Sequence, residues 1–164
     1  MKELNLITTI QVYSNSEELP PAERELLEAA KEALDLAYAP YSGFNVGAAA
    51  RLENGEIVKG SNQENAAYTM CICAERVALS AVSSNYPEVP VVSMAVTVRH
   101  QEKVINQPAT PCGACRQVIR ETEQRFDQPI QIILQGETGE VYVFKSVEGL
   151  LPLSFDNSFL RVEP

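Results

Sequence analysis

All four cysteines of this chain fall in two short stretches, Cys71-Ile72-Cys73-Ala74-Glu75-Arg76 and Pro111-Cys112-Gly113-Ala114-Cys115-Arg116. For both stretches to serve one centre, the fold must bring together positions about forty residues apart. Paired C-x-C and C-x-x-C clusters in a reducing compartment favour metal or redox chemistry over disulfides. Cys112 and Cys115 have the spacing of a helix start, where both sulfurs reach one ion. Cys73 joins them from the start of a second helix. Helix N-termini favour the thiolate form, because unpaired N–H groups point at the sulfur. Three thiolates on zinc leave a fourth position for water, the arrangement of catalytic sites. Glu75, two residues past Cys73, reaches that water without ligating the metal and can move its protons. Arg76 offsets the negative charge of a three-thiolate Zn2+ site.

Two plainer arrangements fit the same cysteines. C-x-x-C is also a thioredoxin-like redox pair, and four cysteines can close a structural zinc site with Cys71 as fourth ligand. On one helix, residues i and i+2 point in very different directions, so Cys71 can join Cys73 only if it lies ahead of the helix. Otherwise Cys71 reads as a small buried residue. A structural site has no use for Glu75 or Arg76, which favours the catalytic reading.

Composition narrows the partners. With 164 residues, 45% hydrophobic and 21% charged, the chain suits one compact domain with a full core. The net charge is −9 and no stripe of Lys or Arg offsets it, so a nucleic-acid polymer meets an unfavourable field and a small substrate is favoured. No apolar run approaches the roughly 20 residues that span a bilayer, so no membrane partner is expected. Met1 to Thr8 lacks a secretory apolar region, and a cytoplasmic location with reduced thiols is expected.

The order of elements reads as (β)αββαβαββ. Leu4, Leu6, Thr8, Ile10 and Val12 alternate and predict an N-terminal strand. Pro20 and Pro21 open a helix on which Leu26, Ala30, Ala33, Leu34 and Ala37 recur at helical spacing, ending before Pro40. Phe44 to Leu52 alternates as a strand, Asn54-Gly55 is a hairpin turn, and Glu56 to Gly60 returns. A helix follows from around Cys71 or Cys73 to Ser84, with Val77, Ala78 and Ala81 nearer the core. Val91 to Val98 is a near-continuous apolar run, the mark of a strand covered on both faces. Thr110 and Pro111 suit the cap and first position of another helix. Ile130 to Leu134 and Val141 to Phe144 are strands around a Gly136–Gly139 turn. Pro152 excludes a long helix from Leu150 to Phe155. The pattern predicts an α/β domain with a mixed sheet and helices on its faces.

Cys73-Ala74-Glu75 with Pro111-Cys112-Gly113-Ala114-Cys115 resembles the signature of the zinc-dependent cytidine deaminases, in which ligand-x-Glu precedes Pro-Cys-x-x-Cys. Tyr41 to Ala49, Asn62 to Tyr68 and Leu150-Leu151-Pro152 resemble further segments of that family in the right order. A cysteine as first ligand points to its small homotetrameric branch. The resemblance implies a three-layer α/β/α sandwich with a mixed five-stranded sheet, residues 21–164 as one deaminase domain, and residues 1–20 as an N-terminal extension. It implies Zn2+ on Cys73, Cys112 and Cys115, Glu75 as catalytic proton carrier, and hydrolysis of cytidine and deoxycytidine to uridine and deoxyuridine. Asn62 and Glu64 would bind the sugar; taken without the motif they read as a turn residue and a solvated charge. Phe44 would line the pyrimidine pocket, or serve as a core strand residue, or both. Backbone groups at Ala74 and near Pro111–Cys112 would hold the base. Phe155 would reach a neighbouring subunit's base, or pack as an ordinary tail. A deaminase of another free substrate such as blasticidin S would share the zinc site, though the Asn62–Glu64 pair argues against it. His100, the only histidine, is not assigned to the metal.

Overall fold

The computed structural model describes residues 1–160, so the last four positions of the expected 21–164 domain lie outside the described residues. In chain order the elements are β1 (Gln11–Tyr13), α1 (Pro21–Ala33), β2 (Phe44–Leu52), β3 (Ile57–Ser61), α2 (Ala74–Asn85), β4 (Val91–His100), α3 (Gly113–Phe126), β5 (Gln131–Gln135) and β6 (Val141–Phe144). The strands form one sheet in the order β1-β6-β5-β4-β2-β3. Only β4 and β5 run parallel. Such a pair needs a long crossover, and α3 supplies it.

Alternation along the strands divides the core in two. Ala48, Ala50, Met94, Val96, Ile132 and Leu134 pack with Ala74, Ala78, Leu79 and Val82 of α2 and Ile119 of α3. The intervening residues Ala49, Ala95 and Ile133 pack with Leu26, Leu27 and Ala30 of α1. Successive side chains on a strand point to opposite faces, so one helix lies on one side of the sheet and two on the other. This is the three-layer α/β/α sandwich. β4 is apolar nearly throughout because both its faces are covered.

The sheet has six strands, one more than expected, because β1 pairs antiparallel with β6 and adds an edge. The alternating stretch from Leu4 forms a strand only from Gln11, and Leu4, Leu6 and Ile10 are exposed. Ahead of β1 the chain is held at Thr8, whose hydroxyl donates to the Gly149 carbonyl at 3.1 Å.

Two helix starts also differ from expectation. The helix after the second cluster begins at Gly113 with Cys112 as its cap residue, not at Pro111 with Thr110 as cap. The helix after the first cluster begins at Ala74 with Cys73 as its cap residue. Its buried face is Ala74, Glu75, Ala78, Leu79 and Val82 rather than Val77 and Ala81. The chain comes close to it at Gly60, where a Cβ would lie 2.5 Å from both the Ala74 carbonyl and the Ala78 nitrogen. The absent side chain lets the first turn of α2 rest on β3.

Candidate active site

The two cysteine clusters meet because α2 and α3 lie on the same face of the sheet, each opening with a cysteine at its cap position. The Cys112 sulfur lies 3.5 Å from that of Cys115 and 3.8 Å from that of Cys73. All three sulfurs lie within 4.8 Å of one another. Ligands placed tetrahedrally on zinc at about 2.3 Å would be separated by about 3.8 Å. The donor set, three soft sulfurs at two helix N-termini, fits the same ion.

Cys71 stands apart from this group. It lies ahead of α2, closing a short 3-10 turn over Tyr68–Met70, so helix geometry does not exclude it from the cluster. What removes it is the Asn65 backbone: the Cys71 sulfur accepts from the Asn65 N–H at 3.2 Å and donates to the Asn65 carbonyl at 3.7 Å. Nor is it a buried filler; it is half-buried and lines a cavity.

Electrostatics in the thiol group follow from crowding. The Cys115 thiol donates to Cys73 and brings the Cys73 pKa down to about 6, with the Arg76 charge the smallest of the favourable influences. Cys115 moves the opposite way, because its proton is held by Cys73 and its surroundings are dry. Three neighbouring thiols cannot all ionise unaided, whereas a divalent cation would draw all three into the thiolate form. Arg76 acts there through charge alone; no hydrogen bond joins it to a cysteine among the described residues.

Glu75 is only 4% exposed, in the first turn of α2. Burial raises its pKa above the ordinary value, and its own backbone N–H and the Cys115 thiol counter this in part. A carboxyl group so placed takes a proton readily, the property wanted of a proton carrier near neutral pH.

Cys73 and Cys112, but not the fully buried Cys115, open onto a cavity of about 350 Å³ lined also by Phe44, Asn62, Glu64, Cys71 and Glu75 among others. That size lies within the range of small-molecule sites. Larger clefts of about 560 and 580 Å³ border Arg120 but include no cysteine. Phe44 belongs to both wall and sheet: it starts β2 and meets His100 of β4 edge-on at 6.1 Å. Asn62 is more than a turn residue. Its amide spans β2, accepting from the Val46 N–H at 2.8 Å and donating to the Phe44 carbonyl at 2.9 Å. Glu64 is held by the Tyr41 and Ser42 N–H groups at 2.9 and 3.3 Å, and hydrogen bonds from Ser42 and Tyr41 keep its pKa below the ordinary value. Ala74 is fully buried and does not line the cavity.

Phe155 does not line its own chain's cavity. It is 57% exposed and stacks on Phe159 at 5.5 Å. Lining residues not anticipated from sequence include Val96 and Val98 of β4 as well as Gln63, Ile72, Ala109 and Thr110. Gln63 had one signal, its place between Asn62 and Glu64; it bridges to both Tyr38 and Ile72.

The family described as the cytidine and deoxycytidylate deaminase zinc-binding region matches residues 21–126, a stretch that includes the three convergent cysteines and Glu75. The chain belongs to this family. A cytidine deaminase from Halalkalibacterium halodurans is 37% identical, with 79% of this chain and 91% of the relative covered. The crystal structure of a cytidine deaminase from Burkholderia pseudomallei superposes with a TM-score of 0.68 at 41% identity, covering 80% of this chain and 97% of that one. A blasticidin-S deaminase from Bacillus cereus is more distant, 31% identical over 80% of this chain and 90% of its own length. Roughly a fifth of the present chain thus has no counterpart in these relatives, and the family match begins at the first residue of α1.

Proposed function

We propose that this protein hydrolyses the exocyclic amine of cytidine and deoxycytidine, giving uridine or deoxyuridine and ammonia, as a pyrimidine-salvage enzyme of the cytoplasm. The observation that carries the reading is a buried Glu75, its pKa raised by burial, beside three convergent thiols at the wall of a cavity that also holds Asn62 and Glu64. Cys73, Cys112 and Cys115 would hold Zn2+. When bound, the ion supplies the Lewis acidity that makes water a competent nucleophile near neutral pH.

The chain's own groups do the rest. Glu75 takes a proton from the attacking water and passes it to ring N3, so that C4 accepts the oxygen as its double bond to N3 is lost. Glu75 then carries the second proton of that oxygen to the exocyclic nitrogen, which leaves as ammonia as the C4 carbonyl forms. A carboxyl group with a raised pKa suits both directions of transfer. Glu64 and Asn62 bind the sugar hydroxyls, and Phe44 packs against the base. Ala74 and Pro111–Cys112 offer backbone groups to the ring substituents. Arg76 balances the charge of the thiolates. The exposed Phe155 reaches the base in a neighbouring subunit of a homotetramer.

Ammonia release from cytidine, deoxycytidine and blasticidin S by the zinc-loaded protein tests the reading. Turnover of the two nucleosides is expected. Turnover of blasticidin S alone would replace the substrate assignment. Zinc bound at a closed four-ligand site with no turnover would make the protein a binding module instead, an outcome the Cys71–Asn65 contacts disfavour.

A further inference from the structure

Between β4 and α3 the chain runs through a long loop that forms one wall of the cavity, with Ala109, Thr110 and Cys112 in the lining. Its middle is fastened at Ile105, whose carbonyl accepts from the Glu137 and Thr138 N–H groups at 2.7 and 3.2 Å. Beyond that point the backbone has little to hold it, since Pro108 and Pro111 have no N–H to donate. Among the described residues, the hydrogen bonds that reach residues 107–111 all come from one side chain, Arg116. It is on the first turn of α3, one residue beyond Cys115. Its Nε donates to the Pro111 carbonyl at 2.8 Å and its Nη2 to the Thr110 hydroxyl at 3.1 Å. Its Nη1 turns away and donates to the Leu150 carbonyl at 2.8 Å.

We infer that Arg116 is a positioning residue for the reaction: it clamps the Thr110–Pro111 wall against α3 and against the segment at Leu150, and so fixes the wall that leads into Cys112. A planar guanidinium with five donors can serve three acceptors in two directions at once, and a lysine ammonium on a flexible stem cannot. The residue's charge is not its main asset, because all three acceptors are neutral oxygens. The clamp acts at the end of the cavity beside the thiols rather than at Glu64. Its loss is therefore felt in the chemical step. A wall displaced by about 1 Å can cost on the order of a hundredfold in rate.

The inference rests on the deaminase reading above, and its test separates the two. Arg116→Lys, Thr110→Val and the double variant are prepared with zinc, and metal content, kcat and KM for cytidine, and limited proteolysis by elastase are measured. For Arg116→Lys the expected result is full zinc content, a kcat lowered roughly ten- to a hundredfold with KM changed less than about threefold, and cutting after Ala109 at least about tenfold faster while other sites are unchanged. Thr110→Val removes one acceptor of the three and should lower kcat a few-fold. The double variant should be no worse than Arg116→Lys, because the threonine acts through the arginine. Wild-type kinetics and cleavage in Arg116→Lys, or full additivity in the double variant, would overturn the clamp. If Arg116→Lys does not fold, Thr110→Val decides: an unchanged kcat and cleavage pattern rejects the inference. If the wild-type protein turns over no nucleoside, the deaminase reading falls, and the elastase pattern still decides whether Arg116 holds the wall.

Discussion

Within the site, residues of one chemical type divide by what their neighbours offer. Cys71 and Cys73 are two positions apart, yet one sulfur is engaged by the Asn65 backbone and the other by two thiols. Cys73→Ser is expected to abolish stoichiometric zinc binding, and Cys71→Ser to retain it, read by metal analysis after dialysis. The two glutamates differ as sharply. Glu75→Gln keeps the shape of the site but cannot carry protons, and a loss of at least about a hundredfold in kcat with zinc retained is expected. Glu64 keeps its charge by a different route, since hydrogen bonds from Ser42 and Tyr41 lower its pKa from 4.5. A depressed pKa means the charge, and any binding through it, persists as the medium is acidified and is lost only as pH falls through the lowered value. The contribution of Glu64 to KM for cytidine should therefore persist into more acidic medium than an unperturbed glutamate would allow. In Ser42→Ala the rise in KM should begin at higher pH, and superimposable KM profiles for the two proteins would contradict this. The cysteines and Glu75 were legible in sequence because metal ligation imposes spacing. The hold on Glu64 was not, because it comes from backbone groups more than twenty positions away.

Among the elements, what matters is how closely helix starts approach the sheet. α2 brings Cys73 and Glu75 to the cavity only because Gly60 of β3 leaves room for the Ala74 carbonyl and Ala78 nitrogen. Gly60→Ala would place a methyl group 2.5 Å from both. Overpacking of this kind costs about 1–3 kcal/mol, and here the displaced part is the turn that carries a ligand. Reduced stability in urea together with faster zinc loss to a chelator is the expected pair of effects; reduced stability with unchanged zinc release would separate packing from the site. The carboxylate of Glu123 is a second device at this scale. It accepts from the Ile130 and Val147 N–H groups at 2.9 and 3.0 Å and from the Ser146 hydroxyl at 3.1 Å, joining α3 to the chain on either side of the β5–β6 hairpin. Strand and helix identities were readable from periodicity, and β2, β4 and β6 lie where alternation or continuous apolarity placed them. The starts of α2 and α3 were displaced by one to three residues because their cap positions are occupied by cysteines, which propensity does not favour there. The Arg116 contacts were invisible because two of their three acceptors are backbone carbonyls.

Across the molecule, the chemistry and the N-terminal addition occupy opposite halves of the sheet. The cavity draws on β2, β4 and the segments after β3, whereas β1 lies at the far edge beyond β6. We propose that residues 1–20 act as an edge guard for the domain that follows. β1 occupies the otherwise open side of β6, pairing Gln11 with Val143 and Tyr13 with Val141, and Tyr13 packs against the core cluster on the α1 side. An uncovered strand edge invites pairing with other chains. Removing residues 1–13 should consequently leave zinc content and kcat/KM for cytidine within about twofold of the full chain, since no cavity-lining group is lost. The same deletion should lower Tm and promote concentration-dependent aggregation, measured by light scattering during heating, because β6 becomes an exposed apolar edge. A large fall in kcat/KM with unchanged aggregation would show instead that the segment serves the site. That outcome would require a route from the β1 edge to the cavity. The Thr8–Gly149 contact is the natural place to look for it, because Gly149 adjoins the Leu150 carbonyl that Arg116 holds.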